Sequence, residues 1–398
     1  MSTNIVLSAA VRQNLLSLQS TAQLLATTQN DLATGNKVNS ALDDPTSYFT
    51  AQALNTRASN ISNLLNGISN GVQVLQAANT GITSLQSLVQ NAQSIANQAL
   101  QAPIGYSNKS NYSTNISGAT SSNLLGNSAT LSGEKLTFSS FDGGTAVTVT
   151  FGDGTNGTVK SLSELNAQLQ ADNLSASIDT TGNLTISTAN SYASSTLGGA
   201  AGGAIGGTAF TDVSLTWTAP TAPIADPASQ TTRANLVIQY NNILDQINKT
   251  AQDASYNGIN LLNGDNLQLV FDETGKSTLN IAGTTDNANG LGLANLTQGT
   301  DFVDNNSTNQ VLASLTTASS NLESLASTLG SNLSVVQNRQ AFNTSLINVL
   351  QTGASNLTIA DPNELAAQSQ ALTTRQSIAV SALALANQNQ QSVLQLLR

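Results

Sequence analysis

IVLSAAVRQNLLSLQSTAQLLATTQNDLATGNKV (residues 5–38) sets the fold class. Val11, Leu15, Leu18, Ala22, Leu25 and Leu32 recur at alternating spacings of four and three, and only Gln29 interrupts the row. An apolar period of about 3.5 residues keeps one stripe facing a partner and implies a left-handed coiled coil. The other end of the chain repeats the pattern. Leu365, Leu372, Ala379, Ala382, Ala386, Val393 and Leu396 fall on one seam, with Gln368, Arg375 and Asn389 as its polar members. Beside it runs a second apolar row, Ile378, Leu385, Leu394 and Leu397. A two-stranded coil needs one stripe, so a doubled stripe predicts more than one neighbour per helix.

Further helices lie just inside these ends. Ile61, Leu65, Ile68, Val72, Leu75 and Ile82 continue as Leu85, Val89, Ala92, Ala96 and Ala99, with a slip of register after Ile82. The C-terminal counterpart runs through Leu315, Ala318, Leu322, Leu325, Leu329 and Val336 to Leu350. Leu236, Tyr240, Ile243 and Ile247 mark another helix, followed by LQLVFDETGKSTLNI (267–281), a hairpin turning at Thr274-Gly275. Asp44-Pro45, Asp226-Pro227 and Asp361-Pro362 each put an acidic N-cap before a proline at the first helical position. Glu364 extends the last of these to a capping box.

Composition supports helices lying side by side over one large core. Charged residues are 9% of the 398, against roughly 25% in ordinary soluble domains. Aromatics are 4%, and Ser, Thr, Asn, Gln, Ala and Leu take their place. Cysteine and histidine are absent, which excludes a disulfide framework, the usual zinc sites and every Ser/His or Cys/His catalytic arrangement. A net charge of −10 argues against a nucleic-acid partner. The N-terminus has no basic segment followed by an apolar core, so it does not predict a cleaved signal peptide. No apolar run approaches the roughly 18 residues of a membrane span.

Residues 103–226 differ in kind. Pro103 ends a helix, and Gly, Ser and Thr then dominate. LTFSSF, AVTVTF, LSASID and LTISTA alternate like strands around a helical SLSELNAQLQ, and GGAAGGAIGG (198–207) reads as a loop. An inserted α+β module is expected here. Gly152, Gly154 and Gly157 spell G-x-G-x-x-G, but within GDGTNG they are better explained as a turn, and no dinucleotide cofactor is expected. The paired acids Asp43/Asp44 and Asp272/Glu273 are the only candidates for acid–base work, but adjacent residues point different ways in a helix or strand; capping explains Asp44 and the hairpin approach explains Asp272. N-x-S/T triplets such as Asn183-Leu184-Thr185 are expected by chance in so polar a chain.

Several stretches are recognisable. LATGNKVNSALDDPTSYFTAQAL (32–54) resembles the flagellin N-terminal signature, and residues 66–100 continue the likeness. SYNGINLLNG (255–264) is similar to the flagellin segment before its β-hairpin, and LSVVQNRQAF (333–342) and ALANQNQQSVLQLLR (384–398) resemble the C-terminal region. The likeness covers about 1–102 and 230–398, and ALDDP and NLTIADPNE place it nearest alphaproteobacterial flagellins.

The resemblance implies a mainly α fold with paired terminal helices, a β-hairpin and a central α+β insert. It divides the chain into an N-terminal inner-core helix (1–44), N-terminal rod helices (45–102), a variable surface-exposed insert (103–226), a rod helix, hairpin and C-terminal rod helix (227–352), and a C-terminal inner-core helix (353–398). It implies a structural subunit of the flagellar filament and no enzyme, since the metallopeptidase carried by some flagellin inserts needs histidine. It also implies export by the flagellar type III route to an extracellular filament. The partners are then further copies, sister flagellins, filament cap and hook-junction proteins, and an export chaperone, with no nucleic acid, membrane or cofactor. The proline of ALDDP keeps a hook–filament junction protein as the alternative, and an adhesive role for the insert stays open. Vertebrate Toll-like-receptor recognition is expected to be weak or absent, because Asn91, Gln93 and Ser94 stand near the charged positions of detected flagellins. The candidate polymerisation and packing residues are Val11, Leu15, Leu18, Leu25, Leu32, Ile68, Val72, Leu75, Arg339, Leu372, Ala379, Ala386, Val393, Leu394, Leu396 and Leu397.

Overall fold

The computed structural model describes residues 9–128 and 130–396. In chain order the elements are α1 (Ala9–Thr34), α2 (Pro45–Gln101), β1 (Tyr106–Asn108), β2 (Asn111–Asn115), β3 (Lys135–Phe138), β4 (Val147–Thr150), α3 (Leu162–Leu169), β5 (Leu174–Ile178), β6 (Asn183–Thr188), β7 (Ile205–Gly206), α4 (Thr208–Thr211), β8 (Ile224–Ala225), α5 (Pro227–Asp253), β9 (Leu267–Val270), β10 (Thr278–Ile281), α6 (Asn305–Thr358) and α7 (Pro362–Leu396). The fold is mainly helical with a strand-bearing centre, as the periodicities predict. All three Asp-Pro pairs start helices. Asp44 Oδ1 accepts Thr46 N at 3.0 Å, Asp226 Oδ2 accepts Ser229 N at 3.0 Å, and Asp361 Oδ1 accepts Asn363 N at 2.8 Å. Each acid thereby satisfies an amide that the helix start leaves without a partner.

The chain divides into two compact units. The first comprises Met1–Val72, Gln268–Asn280 and Ser334–Arg398. Here α1 and α7 pair antiparallel, because the end of α1 meets the start of α7: Ala360 N donates to Gly35 O at 3.0 Å and Lys37 N to Thr358 O at 2.8 Å. Gly35, at φ 71°, makes the left-handed turn that ends α1. Ala58, Ile61 and Leu350 form a small core with Leu54, Leu346 and Ile347. The hairpin docks through several contacts. Asn343 Nδ2 donates to Phe271 O at 2.9 Å, the Arg339 guanidinium lies 5.9 Å from the Phe271 ring centre, and Arg57 pairs with Glu273 at 2.7 Å. Glu273 thus has a basic companion far away in the chain. Gly71 is a close-approach glycine, since a Cβ there would stand 2.4 Å from Leu269 Cδ2.

The second unit comprises Gln73–Leu267 and Ile281–Leu333. Its part of α2 buries Leu75, Ala78, Ile82, Leu85, Val89, Ala92, Ala96 and Ala99, stepping regularly by three and four. The slip expected after Ile82 is therefore absent; fully buried Ala78 keeps the register. The insert holds two three-stranded antiparallel sheets, ordered β2-β6-β5 and β4-β3-β7, and a two-stranded ribbon β1-β8 at its root. Inward side chains of both sheets share one core, which includes Phe138, Phe141, Val149, Phe151, Leu165 and Ile186. Ser161 and Glu164 cap α3 reciprocally, a full capping box. Two sheet edges are covered by side chains. The Asn166 amide pairs with both backbone groups of Ala176 on β5 at 2.6 and 3.0 Å, and Thr218 bonds both backbone groups of Ser113 on β2. GDGTNG folds as a turn, with Gly154 and Gly157 at φ 86° and 81° and the Asp153 carboxylate holding Thr155 N.

Candidate functional site

The terminal helix pair is the candidate site, and its seam is unusual in composition. On α1 the shielded positions are Val11, Asn14, Leu18, Thr21, Leu25, Thr28 and Asp31; on α7 they are Leu365, Ser369, Leu372, Gln376, Ala379, Leu383 and Ala386. Both rows step by three and four. Alternate members agree with the predicted seam except at the end of α1, where Leu32 is exposed and Asp31 takes the shielded place. The intervening ones lie one residue away from it: Asn14 in place of Leu15, Thr21 in place of Ala22, Ser369 in place of Gln368, and Leu383 in place of Ala382. The physical reason is that a buried threonine on a helix can satisfy itself. Thr21 Oγ1 donates to Ser17 O at 2.8 Å and Thr28 Oγ1 to Leu24 O at 2.9 Å, so neither hydroxyl is stranded.

With hydroxyl and amide groups inside, leucines are left outside. Leu15, Leu24 and Leu32 are exposed, and Leu16 is 62% exposed. On α7, Ile378, Val380 and Leu385 are exposed, with Ile378 at 64% and Leu385 at 61%. The second apolar row predicted for the C-terminal helix is thus uncovered at both its described members. Such a surface gains free energy when a neighbour covers it.

The turn joining α1 to α2 is braced by its two acids. Asp43 Oδ2 accepts from Asn39 N, Ser40 N and Ser40 Oγ, and Asp44 Oδ2 accepts Ser47 Oγ at 2.6 Å. These bonds, led by the Ser40 amide for Asp43 and the Ser47 hydroxyl for Asp44, hold both carboxyls below the usual aspartate range. Both acids thus serve to hold the turn and the start of α2. Leu42 projects from the same turn almost fully exposed.

Ile68, Val72 and Leu75 are buried inside the subunit, as is Leu372, while Leu18, Leu25, Ala379 and Ala386 are half-buried. Arg339 is exposed and engages the hairpin. The side chains of Val393, Leu394 and Leu396, and the whole of Leu397, lie outside the described residues.

Sequence reasoning missed Arg233. Its guanidinium is 1% exposed and bonds Phe302 O at 2.6 Å, Pro103 O at 3.0 Å, Ala102 O at 3.3 Å and Asn305 Oδ1 at 3.4 Å. It ties the end of α2 to the approach to α6 at the root of the insert. The available signal was a lone charge on the apolar row Leu236, Val237, Tyr240, Leu244 and Ile247. Ser194 Oγ, bonding Asp304 Oδ2 at 2.6 Å, adds a second tie there.

Among the described residues, no three His, Cys, Asp or Glu side chains gather as a metal site would need, and no helix is long and apolar enough to cross a membrane. A family model for the bacterial flagellin N-terminal helical region matches residues 1–141, and one for the C-terminal helical region matches residues 312–397. Flagellin FljM of Caulobacter vibrioides is 29% identical over 160 residues, which cover 40% of this chain and 58% of that protein. Flagellin FljK of the same organism is 29% identical over 161 residues with the same coverage, and flagellin FljO is 27% identical over 164. The chain therefore spans less than two thirds of the length of the curated relatives it matches.

Proposed function

The chain belongs to the bacterial flagellins, and from that premise we propose that it polymerises into an extracellular flagellar filament that serves swimming. The observation carrying this reading is the leucine and isoleucine surface that the α1–α7 pair leaves uncovered. A helix pair whose seam is about half polar on the α1 side gains little by pairing alone. Covering Leu15, Leu16, Leu24, Leu32, Ile378 and Leu385 with neighbouring copies supplies the missing burial. Folding of the ends and assembly are then one coupled event.

In this reading 1–44 and 353–398 form the inner core, 45–102 and 227–352 the surrounding layer, and 103–226 the outward insert. Leu18, Leu25, Leu372, Ala379 and Ala386 hold the pair together, and Val393, Leu394, Leu396 and Leu397 extend the contact surface. Sister flagellins, cap and hook-junction proteins and an export chaperone are its partners, and the flagellar type III channel its route out. Asn91, Gln93 and Ser94 make it a poor agonist of the vertebrate Toll-like receptor, and a strong response in a receptor reporter assay contradicts that point. The junction-protein reading is not favoured, since both family models and all three relatives carry flagellin descriptions.

The test is assembly of the purified full chain beside versions lacking 1–35 or 365–398, viewed by electron microscopy. Long filaments from the full chain and none from either truncation are expected. Normal filaments from a truncated chain refute the reading.

A further inference from the structure

A groove on the insert fits a ligand of definite chemistry. The register of β2, β6 and β5 sets Asn111, Ser187 and Ser175 in one row and Ser113, Thr185 and Ser177 in the next. Alternate residues of the same strands, including Leu174, Leu184 and Ile186, enter the core. The outer face is thus a grid of hydroxyls and amides with no large apolar side chain among these six. Residues 104–109 flank it and shape a groove of about 250 Å³, floored by Ser177, Thr185 and Ser187 and walled by Tyr106, Asn108 and Lys109.

Lys109 is the second, independent observation. It is half-buried, and its ammonium donates to Asn190 Oδ1 at 3.1 Å. Among the described residues no carboxylate pairs with it; the ion pair that does form is Arg57–Glu273, elsewhere. Burial holds its pKa down with no opposing charge to offset the loss of water. A partly desolvated cation without a counter-charge is stabilised by an arriving anion. The lining contains no acidic side chain to repel one. Tyr106 supplies an aromatic ring, the surface that the C–H face of a sugar packs against.

We propose that this groove binds an acidic sugar unit of the hexuronate class, with its carboxylate on Lys109 and its hydroxyls on the Ser177–Thr185–Ser187 floor. A cavity of this volume lies just under the roughly 300–1,000 Å³ of pockets for drug-sized ligands, which suits one ring held at a chain end or within an exposed polysaccharide. A peptide is less well matched, because the floor offers no apolar pocket for a side chain. The binding does not rest on the filament reading, since one subunit carries the whole groove.

Calorimetric titration of the full-length monomer tests this, using galacturonate, an oligogalacturonate, and glucose and a neutral glucose oligomer as controls. The uronates are expected to bind at least about tenfold more tightly than the neutral sugars, the worth of one charge-assisted hydrogen bond. Lys109→Gln removes that preference, while Thr185→Val weakens uronate and neutral sugar together and Thr185→Ser restores both. Unchanged circular dichroism and thermal midpoint verify that the variants are folded. Binding of galacturonate alone assigns the groove to a free sugar acid, and binding of both assigns it to a polysaccharide unit; either supports the proposal. Equal affinity for charged and neutral sugars, uronate binding untouched by Lys109→Gln, or no binding at millimolar concentration overturns it.

Discussion

Leu16→Ala separates assembly from folding. Leu16 is 62% exposed in the single subunit and lies off the α1–α7 seam. Complete burial of a leucine side chain contributes about 1.5–3 kcal/mol, so roughly 1–2 kcal/mol is still to be gained when a neighbour covers this one. Alanine keeps one methyl and forfeits most of that gain, roughly 1–1.5 kcal/mol per subunit. Since about 1.4 kcal/mol is tenfold in an equilibrium, the critical concentration for polymerisation should rise roughly 5- to 15-fold. Alanine has at least as good a helix propensity as leucine, so α1 itself should not suffer. Sedimentation of filaments against free subunit over a concentration series measures the effect, with circular dichroism of the monomer as control. Leu372, 5% exposed in the seam, is the contrasting position: Leu372→Ala removes buried atoms and weakens the pair within the subunit. A critical concentration for Leu16→Ala equal to that of the parent chain would refute the reasoning, because the exposed leucines would then be ordinary surface.

Other consequences are open to measurement. Arg233→Met takes the guanidinium from the Ala102, Pro103 and Phe302 carbonyls and should lower stability by about 3–5 kcal/mol in urea unfolding, with a loss below 1 kcal/mol contradicting a structural role. Burial, then the nearby Asp301 charge, pushes the Tyr240 pKa up to about 12 from 10.0. Its folded value lies above its unfolded one, so this stability is complete below pH 10 and lost as pH rises toward 12; Tyr240→Phe should reduce the alkaline loss in a pH series of thermal midpoints, leaving the parts due to Tyr106 and Tyr112, whose pKa values burial also raises. Asp43, Asp44 and Asp226 have folded values depressed by hydrogen bonds to helix and turn donors. Their contribution is present above the ordinary aspartate value near 4 and disappears as pH falls below it, so hydrogen-exchange protection at residues 39–47, relative to the intrinsic rate at each pH, should fall there. Asp44→Asn should blunt that acid response.

Much of this architecture is legible in the residues, and the failures have identifiable causes. Val11, Leu18, Leu25, Leu365, Leu372, Ala379 and Ala386 stand where a heptad reading puts them. On α1 a heptad reading turns Leu15 and Ala22 inward, whereas Asn14 and Thr21 take those places, and the Thr21 hydroxyl is satisfied on the preceding helical turn. β3, β4, β5 and β6 follow from alternation in LTFSSF, AVTVTF, LSASID and LTISTA. β2, Asn111–Asn115, escaped notice because NYSTN carries only Tyr112 as an inward apolar residue, with Thr114 as its fellow. β1, β7 and β8 are two or three residues long, too short for a period to show. The Arg57–Glu273 and Arg339–Phe271 contacts join residues far apart in the chain, which no local spacing encodes.

The covered strand edges of the insert have a consequence for life in a crowd. In a polymer displaying one insert per subunit, thousands of identical sheets would stand side by side at very high local concentration. A bare strand edge in that setting is a template onto which the next sheet could add, gluing neighbours and fibres into bundles. The Asn166 amide at Ala176 of β5 and Thr218 at Ser113 of β2 interrupt those templates at their middle residues, one by a side chain and one by a returning loop. Asn166→Ala should therefore leave single filaments intact while making them stick to one another, visible as turbidity and lateral bundles in micrographs. Two polar residues that look like surface filler would then be what keeps each fibre separate from the next.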